Sequence, residues 1–193
     1  MARSTTNTPW KPTKEQLVAA STKKLRDVIQ PNLDVLFCGI NPGLYSAATG
    51  HHFARPGNRF WPTLYASGFT PRLFNGFDDR ELLTLGLGVT NIAGRASAAA
   101  DELSSEELRA GGHALRRKVL RYTPRFLAIV GYTAYRIAFD ARSATGGRQP
   151  ELIGGTAIWV LPNPSGLNAH HQPAALRRLF AELHAAVFHV QRR

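Results

Sequence analysis

Two loops concentrate the side chains that can do chemistry in this chain of 193 residues. The first opens Gly39-Ile40-Asn41-Pro42-Gly43 and closes on Asn58-Arg59-Phe60-Trp61; the second reads Pro162-Asn163-Pro164-Ser165-Gly166-Leu167-Asn168. Neither contains Lys, Asp, Glu or Cys. What they offer is amide, hydroxyl, imidazole, guanidinium and backbone N–H. Such groups can position a water, the edge of a heterocycle or a phosphate. An amide such as Asn41 donates and accepts hydrogen bonds but takes up no proton. Asn41 also has a plainer reading, since Asn-Pro often caps a turn. The Gly and Pro content suits close approach of main chain to a ligand, because Gly has no Cβ and Pro fixes φ.

Something must hold both loops side by side. Asp34-Val35-Leu36-Phe37-Cys38 precedes the first and Ala157-Ile158-Trp159-Val160-Leu161 the second, and both runs read as buried strands. Strand-to-loop junctions are where open α/β sheets place ligands. Further strands are predicted over 88–92 and 126–130. Helices are predicted over 14–29 (apolar face Leu17, Val18, Leu25, Val28, Ile29), 58–67 (Phe60, Trp61, Leu64 and Tyr65 inward), 78–85, 104–120, 132–139 and 173–190. Ser104 with Glu106 and Glu107 behind it is a helix-start signature, and 145–149 reads as a Gly/Arg turn. The alternation argues for an α/β three-layer sandwich: a central, mostly parallel sheet of about four strands with helices on both faces. Residues 1–13 are polar and are expected to be disordered.

Charge narrows the partner. Lys and Arg number 24 against 13 Asp and Glu, a net charge of +11. No acidic residue occurs from Val35 to Phe77, and only Glu182 from Leu152 onward; the acids cluster at 78–81 and 101–107 instead. Acid-free surface around both loops favours a polyanion over a merely solubilising basic surface. The single cysteine, Cys38, excludes an internal disulfide and a four-cysteine metal or iron–sulfur site, and within a strand it reads as a small buried hydrophobe. His51, His52, His170 and His171 form two doublets without carboxylate or Cys at helical spacing, which favours DNA contact or solvent exposure over metal. No long apolar stretch or signal peptide is present, so a cytoplasmic location is expected, on the nucleoid in a bacterium. Neither GxxxxGK[ST] nor a clean GxGxxG follows a strand, which argues against a nucleotide-binding enzyme.

The run FCGINPGLYSAATGHHFARPGNRFW, with IVGYTAY and LPNPSGLN downstream, resembles the mismatch-specific uracil-DNA glycosylases and their thymine-DNA glycosylase relatives over roughly residues 25–190. The resemblance implies a glycosylase domain at 25–193 behind an extension at 1–24. It implies a monomer that needs no metal or organic cofactor. The partner would be double-stranded DNA containing uracil or mismatches, with single-stranded DNA as a further substrate. Such enzymes rotate the base out of the stack, because C1′ is unreachable inside a duplex. No Lys lies in either loop to form a Schiff base, which points to a monofunctional enzyme. The rival class is a non-catalytic binder of mismatched or damaged DNA.

Residue by residue, the resemblance gives Asn41 the attacking water and Phe53 the stacking platform for the flipped base, where the plain alternative is one more core aromatic. Ile40, Gly43, Ser46 and Asn163 would complete the base pocket, with the Ile40 and Phe53 N–H groups facing the departing anion. Leu167 would wedge into the duplex with Gly166 and Asn168 against the opposite strand, where the plain alternative is a Leu tucked under its loop. Asn163 and Ser165 would hold phosphates. Arg59 is expected to be structural, tying its loop to the domain. After the second strand the chain reads Asn91-Ile92-Ala93-Gly94-Arg95, where relatives tend to carry an acid before the Arg. Ala93, or failing it Gly94, is therefore the position where a water-assisting carboxylate is expected to be missing.

Overall fold

The apolar runs become the strands of one sheet. A computed structural model of the protein describes residues 11–165 and 172–188. Its sheet contains β1 (Val35–Gly39), β2 (Leu87–Asn91), β3 (Phe126–Val130), β4 (Gly147–Ile153) and β5 (Thr156–Leu161), in the order β2-β1-β3-β5-β4. All neighbours are parallel except β4, which runs antiparallel to β5. Every residue of β1 and β3 is buried, as expected of parallel strands covered on both faces.

The helices are α1 (Lys14–Ala19), α2 (Leu44–Thr49), α3 (Phe60–Ala66), α4 (Ser105–Tyr122), α5 (Tyr132–Ala138) and α6 (Pro173–Phe188), with 3₁₀ segments at Ala20–Thr22, Gly76–Leu85 and Ala100–Glu102. Phe37 and Trp159 face Phe60, Leu64, Phe180 and Leu183 from α3 and α6. Leu36 and Ile129 face Leu115, Val119 and Tyr135 from α4 and α5. Helices thus cover both faces, and the three-layer sandwich expected from the alternation is the observed fold. Ser104 caps α4, its side chain accepting from the Glu107 N–H while Glu107 reaches back to the Ser104 N–H.

Four local expectations are corrected. The sheet has a fifth strand: 145–149 is not simply a turn, because β4 begins at Gly147. Gly147, Pro150 and the exposed charges Arg148 and Glu151 mimic a turn, yet they suit an irregular edge strand, where one row of backbone groups needs no partner. The helix predicted over 14–29 ends at Thr22. Beyond it Val28 makes an antiparallel bridge to Val89, each N–H bonding the other's carbonyl at 2.9 and 2.8 Å, so the open edge of β2 claims residues that helical spacing assigned to α1. Tyr65 is 49% exposed rather than inward, one residue past the buried Leu64. Finally, α2 supplies a helix where none was expected.

Candidate active site

A cavity of about 680 Å³ opens where the parallel strands end. Gly39 closes β1, Asn91 closes β2, Val130 closes β3 and Asn163 follows β5, and all four line it. The sheet therefore brings together two motif loops separated by about a hundred residues of sequence, at the carboxyl ends where α/β sheets bind ligands.

Asn41 lies on the lining, and its amide orientation can be deduced. Its Nδ2 is 2.7 Å from Ser97 Oγ and 3.1 Å from the Pro42 carbonyl. Ser97 spends its own hydroxyl hydrogen on the Ala99 carbonyl at 2.6 Å. Toward Asn41 the Ser97 oxygen can therefore only accept, so the NH₂ end must point there. Both N–H bonds are tied back, and Oδ1 is the polar atom that Asn41 offers the cavity. The loop carrying Ser97 is anchored by Arg95, which bonds Glu107 at 2.7 Å and the Glu102 carbonyl at 3.0 Å. This guanidinium holds the Glu107 carboxyl down at about 2.

Phe53 sits on the cavity wall, half-buried, at a left-handed φ of 50° that a bulky residue adopts only when its surroundings enforce it. Four contacts enforce it. The buried Asp79 accepts the His52 N–H at 3.0 Å and faces His51 Nδ1 at 3.2 Å. Ser46 Oγ accepts the Ala54 N–H at 3.2 Å. The Phe53 ring stacks on Phe60 at 3.9 Å. Phe53 is thus both a cavity residue and a satellite of the core, so the two readings of this aromatic are not exclusive. Glycine at position 39 leaves room for both neighbours: a Cβ there would lie 2.5 Å from Asn91 Oδ1 and 3.3 Å from the Phe53 ring, so the Asn91 amide would have to move.

Residues 26–184 match the model of the uracil DNA glycosylase superfamily. The chain belongs to that superfamily. Its members are DNA glycosylases, enzymes that hydrolyse N-glycosyl bonds, and DNA is the partner. Among solved structures, the fold is similar to a solution NMR structure from Methanosarcina acetivorans whose description as a uracil DNA glycosylase is itself provisional. The TM-score is 0.51 at 19% identity, covering 84% of this chain and 98% of that one.

Ile40, Asn41, Gly43, Ser46, Phe53, Asn163 and Ser165 all line this cavity. Ser46 is buried and bonds the Phe53 loop, so it shapes the wall as well as lining it. Asn163 turns its Oδ1 to the Ser165 N–H at 2.9 Å. Arg59 donates to the Ser165 carbonyl at 2.7 Å and, through Nε, to the Pro164 carbonyl at 3.4 Å, the loop-tying role expected of it. Replacing Arg59 with Ala should loosen the second loop. The expected outcome is weaker binding of an abasic duplex and, because each bond to a charged donor contributes about 1.5–3 kcal/mol, a clearly lower melting temperature. An unchanged melting temperature would deny the tie.

Ala93 is not brought to the cavity. Its side chain is 5% exposed among Ile92, Leu103 and other apolar residues behind the sheet, and its N–H bonds the Ile40 carbonyl at 2.9 Å. Gly94 is exposed, with open space where a Cβ would go. The carboxylate among the described lining residues is Asp101, on the turn after Ser97. Asn91 also lines the cavity; the relevant strand end is the expected one, but the residue that faces inward stands two positions earlier. Ser97, which no motif singles out, and His52 are further lining residues. The expected exposure of His52 is corrected: it is 1% exposed and bonds the Arg26 carbonyl at 3.0 Å. No cluster of metal-ligating side chains occurs among the described residues, and none of their helices is long and apolar enough to cross a membrane. The proposed wedge, Gly166, Leu167 and Asn168, lies outside the described residues, as do His170 and His171.

Proposed function

We propose that the protein is a monofunctional mismatch-type uracil-DNA glycosylase: it takes uracil out of the DNA stack and hydrolyses its N-glycosidic bond, starting base excision repair. Thymine and related bases opposite guanine are the further substrates this reading names. The observation that carries it is the pinned Asn41 amide, whose NH₂ is tied to Ser97 and Pro42 while Oδ1 is offered to the cavity. Oδ1 accepts from a water and orients it toward C1′. The C1′–N1 bond breaks, its electron pair leaves with the base as an anion, and the water oxygen bonds C1′ while its proton passes to solvent. Because an amide takes no proton, the rate rests on how well the base carries negative charge, which favours uracil over cytosine. Phe53 stacks on the flipped base, Ile40, Gly43, Ser46 and Asn163 enclose it, and Ser165 meets a phosphate. No Lys stands among the described lining residues to attack the sugar.

The test is a labelled duplex with one uracil, incubated with the protein and then treated with alkali. Strand cleavage is the expected result. A shifted band without cleavage would instead make the protein a binder of damaged DNA. Affinity should fall steeply with salt, by close to one unit of log–log slope, roughly 0.9, for each neutralised phosphate. A flat response between low and moderate salt would remove the basic surface from the DNA footprint. Leu167→Ala should weaken excision from duplex more than from single strands, since a plug matters only where a hole opens. Equal losses on both would dismiss the wedge.

A further inference from the structure

We propose that a second pocket beside the cavity is a further DNA subsite: it takes an unstacked base of the strand that carries the target, one or two nucleotides away from it, and so fits the protein to single-stranded uracil-containing DNA. The inference rests on reading the cavity as the pocket for the target base.

The second pocket has a volume of about 370 Å³. It lies across the Phe53 loop from the cavity, and Phe53, Arg55 and Asn58 line both. Its other wall is the turn at 73–77. The two walls are fitted closely, since a Cβ on Gly76 would lie 2.6 Å from Ala54 Cα. Leu73 and Phe77 leave apolar surface at this wall, 56% and 36% exposed. Phe77 is nonetheless held: its ring lies 4.8 Å from that of His51, which Asp79 fixes at 3.2 Å. Trp61 is buried in the lining, and its indole Nε1 has no acceptor among the described residues. A buried N–H without a partner is disfavoured, and an indole N–H only donates, so the group that completes it is an acceptor.

Charge selects the occupant. Lys11 and Arg55 line the pocket, and no carboxylate does. Asp78, just beyond the turn, is engaged by Arg72 at 3.3 Å and by the Asn75 N–H at 2.8 Å. Arg55 is exposed on the shared wall, so a strand leading from the cavity into the pocket carries its phosphate past a guanidinium. A base supplies a flat face for Phe77 and Leu73, and every base has a carbonyl or ring nitrogen that accepts from an N–H. An apolar peptide side chain would match the aromatic faces but leave both cations and the Trp61 N–H unanswered. In a duplex the neighbouring base is held by stacking and by its own partner; in a single strand no pairing has to be broken before it enters.

The test uses the full chain and single-stranded oligonucleotides with one 2′-fluoro-arabino uridine, which resists cleavage. The bases at the first and second positions on either side are removed one at a time, leaving the sugar–phosphate chain intact. In the wild type, removal at one of these positions should weaken binding by about fivefold to a hundredfold, the range that stacking of a single base supplies. Leu73→Ser and Phe77→Ala, both at exposed side chains, should bind the intact strand less tightly and lose that sensitivity. Each should bind the strand lacking the critical base as well as the wild type does. Equal sensitivity in the wild type and both variants, or none at any position, would overturn the proposal. Weakening in the variants that is the same whichever base is missing would give the pocket another occupant and overturn it too. If the wild type does not distinguish the uracil strand from an otherwise identical strand without uracil, the base-pocket reading itself fails and the proposal falls with it, an outcome separate from the others.

Discussion

Asn41→Ala will lower single-turnover uracil excision by on the order of 10²–10³-fold, the loss that follows removal of one preorganised polar group from an active site. Binding to an abasic duplex should stay close to that of the unchanged protein. The separation is expected because Asn41 is tied to Ser97 and Pro42 within its own wall of the cavity, apart from the second loop and the basic surface proposed to grip the DNA. Ser97→Ala is a graded companion. It keeps Asn41 but frees the NH₂ end, and should cost part of the rate without changing abasic-site affinity. An Asn41→Ala protein with undiminished turnover would take Asn41 out of the reaction altogether.

Ala93→Asp will destabilise the fold by about 3–5 kcal/mol near neutral pH, the scale of an uncompensated buried charge. The resemblance to relatives makes this substitution look like the restoration of a lost acid. The packing says otherwise, since Ala93 is surrounded by apolar side chains and its N–H is committed to Ile40. A carboxyl buried there would have its pKa raised in the folded state. Its charged form is the one that folding excludes, so the deficit relative to the unchanged protein should shrink as pH falls toward the unfolded carboxylate value, about 3.9, and grow as pH rises above it. Denaturant midpoints across that range measure it. Wild-type stability with faster excision would mean that position 93 faces the water after all.

The sheet and most helices were legible because buried parallel strands are continuous apolar runs and because a residue such as Ser104 marks a helix start. Two of the misread stretches share one cause: their partners lie elsewhere in the chain. Val28 looks helical until β2 offers it an edge, and 147–153 looks like a turn until β5 pairs with it. The site divides similarly. Asn41, Phe53 and Asn163 stand in motifs and could be named from them. Asn91, Ser97 and His52 belong to a cavity assembled from separate strand ends, and no spacing rule joins them. Charge misleads in the same way. The first loop is acid-free in sequence, yet Asp79 sits directly beneath it, holding His51 and His52, and Asp101 reaches the cavity from another turn.

The short stretch ahead of the first strand is more than a lead-in. Leu25 lines the cavity, the Arg26 carbonyl receives His52, Asp27 accepts from Thr90 at 2.7 Å and pairs with Lys118, and Val28 borders β2. Four consecutive residues thus join the cavity wall, the buried imidazole, helix α4 and the sheet edge. A chain trimmed to start at Val35 would keep all five strand segments and yet lose Leu25 from the cavity wall and the carbonyl that receives His52. A laboratory judging domain limits by the strands alone would accept as intact a protein that no longer holds His52 in place.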